Sequence, residues 1–366
     1  MTRKEKISLI LLALVIMIGI YKFVTAEYEF VDSKYLNYAP DVQGKNLRTE
    51  IYVRSDKKSV ASMINNAFDY MQELIYRYSE EHSESIVYKI NHAQGAKVAI
   101  DADFYELLEK SREMYELTKG SFDITIKPVL ELWDFDSVDD PNDGDNAQYI
   151  PDSLLVQEKL KLVGFSQIEY DHEFIRMPAG MSITLGAISK GFIVDKVVDY
   201  LKENGALAGY VDQVSSIRYF GEIKKNIILG IQHPRKSSQV IAELTNLNET
   251  AIATSGDYQQ YFDVDDIRFH HILDAKTGFP THENVAVTII AETAFMADAL
   301  STGLFLIDGD VAINYLRGIK NSDAIIYSDF YNEKNRIWEA ISIKSEKTEW
   351  SKGIEYYLRN EYIDGE

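Results

Sequence analysis

The amino-acid sequence predicts an α+β fold in which mixed or antiparallel sheets and flanking helices form two closely joined subdomains. An alternating strand at residues 49–53 is followed by apolar residues at helical spacing from Val60 to Tyr78. From Ile168 onward, short strands surround one helix at residues 189–204. No long linker and no fixed-period repeat separates these parts, which favours a single folded unit of roughly 320 residues.

The other elements follow in order along the chain. A helix is predicted from Asp103 to Lys119, and Gly120 is placed to end it in the left-handed conformation. The acidic stretch from Asp136 to Tyr149 is predicted to be a surface loop; a calcium site is the alternative, but the closing Glu of an EF-hand loop is missing. Further strands are predicted at 209–220, 226–232, 240–244, 251–254, 269–273 and 285–290, with a helix at 293–306 and a last helix and strands after it.

The first 26 residues are typical of an export signal. Several cations precede an apolar run from Ile7 to Tyr21, and small residues close the segment. This pattern fits a cleaved signal peptide or an N-terminal membrane anchor, with a buried core helix as the alternative. Residues 27–45 are interpreted as a polar linker and residues 46–366 as the folded domain. We therefore expect an extracytoplasmic domain, either anchored at the cell membrane or secreted.

Composition narrows the functional classes. The chain contains no cysteine, which excludes disulfides, a thiolate metal site and a lipid-modified N-terminal cysteine. Its formal net charge is −20 at pH 7. Such an acidic surface repels nucleic acid and anionic lipid headgroups, so no nucleic-acid partner is expected.

The segment from Thr184 to Gly191 joins a predicted strand to the start of a helix. The first N–H groups of a helix are free, and Lys190 in the first turn adds a positive charge. This arrangement suits a phosphate group. Strand, glycine turn and helix also occur together for structural reasons alone, so the segment by itself is a weak indication.

Asp298 and Thr302 lie four residues apart in the predicted helix at 293–306, so their side-chain oxygens share one face. A carboxylate and a hydroxyl are hard oxygen ligands that suit Mg²⁺, which completes its octahedron with water and substrate phosphate. The alternative is an Asp that caps the helix and a Thr that bonds back to an earlier carbonyl.

A third segment gathers polar side chains between apolar strands. Adjacent histidines at 270 and 271 face opposite ways on a strand, so only one of them is expected to reach a site. A histidine beside hydroxyls and a carboxylate is typical of a general base, although a lone histidine is more often structural. The polar residues of this segment are Thr254, Ser255, Asp257, His270, His271, Asp274 and Thr277.

Taken together, these segments resemble the FAD:protein FMN transferase (ApbE) family. The resemblance runs over most of the exported chain as six ordered matches, which makes it specific. The matching stretches are residues 120–135, 185–195, 230–235, 253–258, 271–280 and 297–302.

The resemblance implies an α+β fold that binds FAD in the cleft between the subdomains, with Mg²⁺ on its diphosphate. It implies that the backbone carbonyl of Ala187 and the side chains of Asp298 and Thr302 hold the metal. His271, with Asp257 or Asp274 nearby, would deprotonate or orient the attacking hydroxyl. The residues implied to contact FAD are Tyr78, Ser121, Phe122, Asp123, Thr184, Lys190 and Ile272.

The implied reaction is the Mg²⁺-dependent transfer of FMN from FAD onto a threonine or serine hydroxyl of an exported acceptor protein, with release of AMP. Two alternatives stay open. One is a non-catalytic relative that binds flavin or a partner protein. The other is an FAD pyrophosphatase that uses water as the acceptor and yields FMN and AMP.

The sequence departs from the family pattern at three places. Family members usually carry an Asp where Thr184 stands, Met-Gly-Thr where residues 43–45 stand, and paired glycines where Val214 and Ser215 stand. A β-branched residue resists both positive φ and the close approach of a ligand to the backbone. These departures predict a reshaped nucleotide pocket.

Overall fold

The computed structural model confirms an α+β fold of antiparallel sheets and helices. It describes residues 31–56, 59–223, 227–282, 284–332, 335–343 and 355–358. Within these residues the helices are α1 (Val60–Tyr78), α2 (Ile86–Asn91), α3 (Ala102–Leu117), α4 (Lys127–Leu130), α5 (Ser153–Leu160), α6 (Ser189–Glu203), α7 (Ala294–Phe305) and α8 (Gly309–Leu316). The strands are β1 (Val31–Pro40), β2 (Asn46–Ser55), β3 (Val98–Ala99), β4 (Glu169–Tyr170), β5 (Phe174–Arg176), β6 (Ala208–Gln213), β7 (Ser216–Phe220), β8 (Leu229–His233), β9 (Lys236–Thr245), β10 (Ala251–Gly256), β11 (Tyr261–Val264), β12 (Ile267–His270), β13 (Leu273–Asp274), β14 (Phe279–Pro280), β15 (Ala286–Ala291), β16 (Asp323–Asn332), β17 (Asn335–Ile343) and β18 (Glu355–Leu358).

An eight-stranded sheet organises the fold, in the order β1-β2-β6-β7-β10-β15-β16-β17 with antiparallel neighbours. The alternation in β2 shows why the strand forms. Ile51 and Val53 point into the main core, whereas Tyr52 points to the other face and stacks on Tyr210. Smaller sheets join β8, β9 and β18, and β3, β4 and β5; β11 pairs with β12, and β13 with β14.

Helices α1, α6 and α7 cover one face of this sheet and enclose the main core. Helix α6 approaches α7 very closely at Gly191. A Cβ atom at this position would lie 2.1 Å from the carbonyl oxygen of Ala294, so the helices can approach this closely only with glycine there. The contact places the start of α6 beside Asp298, whose carboxylate accepts the Gly191 N–H at 2.9 Å.

Two smaller apolar clusters complete the interior. One lies on the other face of the sheet and includes Ile217 of β7 and Ile231 of β8. The other surrounds Trp133, whose indole N–H donates to the carbonyl of Gly278 at 3.0 Å. Aromatic rings around this indole, with Leu273, fix the loop that follows α4.

Several sequence predictions agree with the structure in detail. Helix α1 spans the predicted residues Val60–Tyr78, and α3 lies within two residues of its predicted bounds. Gly120 has a φ of +87°, the left-handed conformation expected after α3. The stretch 136–149 is a mostly exposed loop with short 3₁₀ turns, which confirms the surface-loop prediction.

Two predicted strands need correction. Residues 209–220, predicted as one strand, form the hairpin of β6 and β7. Its turn contains Val214, which has a φ of +55° although it is β-branched. Residues 269–273 are likewise divided between β12 and β13. The first correction matters for the site, because Val214 and Ser215, where family members usually carry paired glycines, form the tight turn of this hairpin.

The stretch expected to be a polar linker contains a strand. Residues 31–40 form β1, which pairs with β2 along its whole length. Residues 1–26, predicted to be an export segment, lie outside the described residues. Among the residues that the structure describes, no helix is long and apolar enough to cross a membrane.

Candidate active site

A cavity of about 700 Å³ lies where the three apolar clusters meet, with Phe122, Ile217 and Leu273 each contributing to its wall. Its volume is within the usual range for small-molecule sites. The three polar segments recognised in the sequence converge on this wall. Residues far apart in the chain, such as Lys45, His271 and Asp298, therefore face one space.

The start of α6 and one face of α7 form the part of the wall that we call the helix wall: residues 186–191 with Asp298 and Thr302. Lys190 Nζ donates to the carbonyl of Gly186 at 2.8 Å. Asp298 is only 4% exposed. Burial raises the pKa of Asp298, and the positive charge of Lys190 opposes that rise. The carboxylate is thus a buried anion beside one cation, an environment that a second cation would stabilise.

Ser255 joins this group, although the sequence did not single it out for a role. Its Oγ lies 3.0 Å from Thr302 Oγ1 and 2.9 Å from Ser301 Oγ. These bonds orient the Thr302 hydroxyl within the wall. The sequence signal for Ser255 was its place in the stretch 253–258, between two predicted elements of the site.

The residues implied to bind a metal offer oxygen donors alone. Ala187, Asp298 and Thr302 all line the cavity, and their carbonyl, carboxylate and hydroxyl groups suit a hard cation such as Mg²⁺. Within the described ranges no group of three or more His, Cys, Asp or Glu side chains is placed to hold a metal. The donor set of the helix wall contains one carboxylate, so it does not form a cluster of that kind.

Six of the seven residues implied to contact FAD line the cavity: Ser121, Phe122, Asp123, Thr184, Lys190 and Ile272. The Asp123 carboxylate, however, is committed within the protein. It accepts the Thr125 N–H at 2.8 Å and hydroxyl at 2.7 Å, and the Phe165 N–H at 2.8 Å. Burial raises the pKa of Asp123, and these hydrogen bonds oppose the rise. Its side chain shapes the wall rather than offering a free acceptor.

Tyr78 is the exception, and its predicted contact with FAD is corrected by the structure. The side chain is fully buried at the end of α1 and does not line the cavity. Its ring packs against Phe104 and Phe192 in the main core. The helical periodicity that predicted α1 also explains this burial, because Tyr78 continues the apolar face of the helix.

Thr184 belongs to a polar network that the sequence did not reveal. Its hydroxyl donates to Glu80 Oε1 at 2.6 Å and accepts from Gln43 Nε2 at 3.2 Å. Glu80 is also paired with Lys127 at 2.7 Å. Glu80 therefore places a carboxylate beside Thr184, at the position where members of the family that the sequence resembles usually carry an Asp.

His271 lines the cavity, whereas His270 points into the interior. This agrees with the expectation that only one of the pair reaches a site. His271 Nδ1 lies 3.2 Å from the carbonyl of Gln260, which can only accept, so Nδ1 carries the proton and Nε2 keeps its lone pair. Burial lowers the pKa of His271 to about 3, and the charges of Lys45 and Lys190 act in the same direction.

The two carboxylates expected to accompany His271 are engaged elsewhere, and this part of the prediction is corrected. Asp257 forms a bidentate ion pair with Arg235, with one contact of 2.5 Å. Asp274 accepts the Lys276 N–H at 2.8 Å and closes a turn. Neither residue lines the cavity. Arg235, which lies 22 residues from Asp257 in the sequence, was the partner that the motif could not indicate.

Two further segments form what we call the turn wall: residues 41–45 before β2 and residues 213–216 at the turn between β6 and β7. Lys45 Nζ donates to Gln260 Oε1 at 2.6 Å. The Gln43 carboxamide lies against Gly186, where a Cβ would meet its Nε2 at 2.6 Å. Val214 lines the cavity and is 53% exposed. The turn wall thus contains two of the three departures from the family pattern, and Gln43 binds the third, Thr184.

Solved structures with this fold include flavin transferases. The crystal structure of the ApbE protein from Thermotoga maritima aligns with a TM-score of 0.70 and 29% sequence identity, covering 86% of this chain and 97% of that one. The flavin transferase ApbE from Vibrio cholerae aligns with a TM-score of 0.71, covering 86% and 98%; its 20% identity supports the fold alone.

The ApbE family model matches residues 44–326, well over half of the chain, and the chain belongs to the ApbE family. Relatives named FAD:protein FMN transferase include one from Treponema pallidum, 28% identical over 304 residues, which are 78% of this chain and 82% of that protein. Another, from Haemophilus influenzae, is 31% identical over 246 residues, which are 64% of this chain and 68% of that protein. The family resemblance drawn from the sequence is confirmed.

Proposed function

We propose that this enzyme transfers FMN from FAD onto a threonine or serine hydroxyl of an exported acceptor protein, that it needs Mg²⁺, and that it releases AMP. The relatives' names support FAD as the FMN donor and a protein as the acceptor. The observation that carries the proposal is the single cavity shared by Lys190, Asp298 and His271. A phosphate site, an oxygen-donor set and a hydrogen-bond acceptor for a hydroxyl therefore face one space.

Ala187, Asp298 and Thr302 are the residues that would hold Mg²⁺. When bound, the ion would draw negative charge from the diphosphate and fix its orientation. The protein prepares this place in two ways. Gly191 lets α6 approach α7 and donates its N–H to Asp298, while Ser255 orients the Thr302 hydroxyl.

Lys190 would bind the diphosphate. The N–H groups at the start of α6, expected from the sequence to be free, are partly engaged: that of Ser189 donates to the Leu185 carbonyl at 2.9 Å and that of Gly191 to Asp298. Lys190 now donates to a neutral carbonyl, that of Gly186. A phosphate oxygen carries a negative charge and is a stronger acceptor, so the ammonium group gains by moving to it.

His271 would act on the acceptor hydroxyl. With Nδ1–H held by the Gln260 carbonyl, Nε2 can accept the hydroxyl proton as the oxygen attacks the FMN phosphorus. The new O–P bond forms as the bond from phosphorus to the bridging oxygen breaks, and AMP leaves with that oxygen. With its pKa lowered to about 3, the imidazole is uncharged near pH 7, so Nε2 retains its lone pair there.

Asp298→Asn tests the metal-binding group. The full chain is incubated with FAD, Mg²⁺ and a threonine-containing acceptor domain, and AMP release and covalent flavin are followed by mass spectrometry. The amide keeps the shape and the contact with Gly191 but removes the charge, so transfer should fall by at least about 100-fold. Asp199→Asn on the solvent side of α6, where the side chain is 56% exposed, is the matched control and should retain activity.

The same assay separates the alternatives. AMP without labelled acceptor would indicate hydrolysis of FAD, as in a pyrophosphatase. Flavin binding without AMP would indicate a non-catalytic relative, for which the altered turn at Val214 and Ser215 would be the structural reason. Transfer that does not depend on Asp298 or on Mg²⁺ would refute the proposed metal requirement.

The export of the enzyme and of its acceptor is part of the proposal, and residues 1–26 support it for the enzyme. Their cations and apolar run support an extracytoplasmic domain that is anchored at the membrane or secreted. Fractionation of cells that express the full chain, followed by protease treatment of intact cells or spheroplasts, tests this directly. Protection of the domain in the cytosolic fraction would contradict it.

A further inference from the structure

Lys45 is a cation of the cavity wall whose charge is weakly compensated. Its Nζ lies 2.6 Å from Gln260 Oε1, a neutral acceptor, and 3.7 Å from Asp136, whose side chain is 76% exposed. By contrast, Lys127 contacts two carboxylates at 2.7 and 3.2 Å. An ammonium group with a neutral partner and a distant, solvated anion remains available to an anionic ligand.

Lys45 and Lys190 resemble each other in this respect. Both line the cavity, and each donates to an uncharged oxygen of the protein. They come from different elements, Lys190 from the first turn of α6 and Lys45 from the segment between β1 and β2. Both charges also act on His271, so both ammonium groups lie near the same imidazole.

We propose that Lys45 is a second diphosphate-binding residue, so that this enzyme holds the diphosphate of its nucleotide substrate from the turn wall as well as from the helix wall. The proposal rests on the proposed function, which makes FAD the ligand. When a nucleotide diphosphate enters, Lys45 exchanges the Gln260 carboxamide for a phosphate oxygen. The exchange replaces a neutral hydrogen bond with a charge-assisted one.

The neighbours of Lys45 allow this exchange without loss of the site. Gln260 Nε2 also donates to Asp136 at 2.7 Å, so its side chain stays anchored when Lys45 leaves. The backbone carbonyl of Gln260 still accepts from His271 Nδ1. Lys45 can therefore turn to the ligand while His271 keeps its orientation.

A purely structural role for Lys45 predicts something different. In that case the side chain would only tie the segment before β2 to Gln260 and Asp136. Its removal would then weaken binding of every ligand of the cavity alike, with or without phosphate. The difference between phosphorylated and unphosphorylated ligands therefore separates the two roles.

The experiment measures equilibrium binding of FAD, ADP and riboflavin to the full chain by titration calorimetry, with and without Mg²⁺. Lys45→Met keeps the aliphatic stem and removes the charge. We expect the affinities for FAD and ADP to fall by about tenfold and that for riboflavin to stay within twofold. Lys276→Met, at an exposed turn position, is the control and should change none of them.

Two further measurements keep the test decisive. Lys45→Arg should bind FAD within about threefold of the natural chain, because it retains the charge. The loss in Lys45→Met should also shrink as salt is raised, because the lost interaction is between charges. Equal losses for riboflavin and FAD, or no loss for either, would overturn the proposal; Lys45→Gln replaces the Met variant if that variant unfolds.

Failure of the proposed function would look different from failure of this inference. If FAD binding depends on Lys45 but no AMP is released, the proposed transferase activity is refuted and the proposed diphosphate-binding role of Lys45 is supported. If FMN is transferred but the affinity for FAD is unchanged in Lys45→Met, the transferase activity is supported and the role of Lys45 is refuted.

Discussion

The helix wall and the turn wall face the same ligand space but are built in opposite ways. The helix wall fixes its side chains through backbone contacts, above all the approach of α6 to α7 at Gly191 and the bond from its N–H to Asp298. The turn wall holds Gln43, Lys45 and Val214 on short connections between strands. Two of the stretches that match the family, residues 185–195 and 297–302, form the helix wall, and two of the three departures lie on the turn wall. Chemistry placed on packed helices thus leaves the turns free to vary in how they contact the nucleotide.

The largest effect on stability is expected from Gly191→Ala, which tests whether the close approach of α6 to α7 fixes the helix wall. Its Cβ would lie 2.1 Å from the Ala294 carbonyl oxygen and 2.7 Å from Asp298 Cβ, so the two helices must separate. We expect a loss of about 3 kcal/mol in the free energy of unfolding, measured by urea denaturation.

Gly303→Ala is the matched control on α7. There the new Cβ would meet the flexible Met114 sulfur at 3.1 Å, and alanine favours a helix more than glycine does. The stability of this variant should stay within about 1 kcal/mol of the natural chain. Equal effects at the two glycines would show that the close crossing is not what fixes the helix wall.

The next effect concerns His270, whose ring packs edge-on against Phe305 at the end of α7. Nε2 donates to the Thr281 carbonyl at 2.8 Å, and Nδ1 accepts the Ile272 N–H at 3.3 Å. Burial lowers the pKa of His270 from 6.5 to about 4. Between these values the unfolded chain binds more protons than the folded one, so stability is complete above pH 6.5 and falls as pH drops towards 4. The loss in the free energy of unfolding due to His270 should reach about 3 kcal/mol at pH 4.

His270→Gln isolates that contribution, because the amide keeps hydrogen-bonding capacity but does not titrate. Unfolding free energies of both proteins are measured from pH 7 to pH 4. Asp195, whose pKa burial raises to about 6, titrates with the opposite sign in both proteins and cancels in the difference. The difference should shrink steadily with falling pH; a constant difference would mean that His270 is not held neutral.

The smallest effect is expected at the turn wall. Val214→Gly removes the strain of a β-branched residue in the left-handed conformation, which is about 1 kcal/mol. The greater conformational freedom of glycine in the unfolded chain offsets part of this gain. A net gain of roughly 0.5 kcal/mol should appear as a higher melting temperature. Ser215→Gly, at a neighbour without positive φ, should instead lower it slightly. A gain at both positions would mean that the turn as a whole, and not Val214, is strained.

The sequence predicted the helix wall better than the turn wall, for physical reasons. The apolar spacing of α1 and the i, i+4 relation of Asp298 and Thr302 are local properties, so they can be recognised without a structure. Contacts between distant residues cannot. Glu80 reaches Thr184 across 104 residues, and nothing local marks it as a partner.

The failures have equally specific causes. The hairpin of β6 and β7 was predicted as one strand, because a valine with positive φ is rare and the usual glycine signal is absent. Tyr78 was assigned to the ligand on resemblance, although its own helical position indicated burial. Asp257 was assigned to His271 for its nearness in the sequence, whereas its charge is neutralised by Arg235.

The direction of β1 has a practical consequence for handling this enzyme. The strand runs ten residues from Val31 to Pro40, and Asp41, the next residue, already lines the cavity. Its first residue therefore lies up to about 30 Å from the ligand space. A tag, a solid support or a lipid surface attached ahead of Val31 would hold the protein by the far end of the sheet. An acceptor as large as a folded domain could then still approach the cavity of an immobilised enzyme.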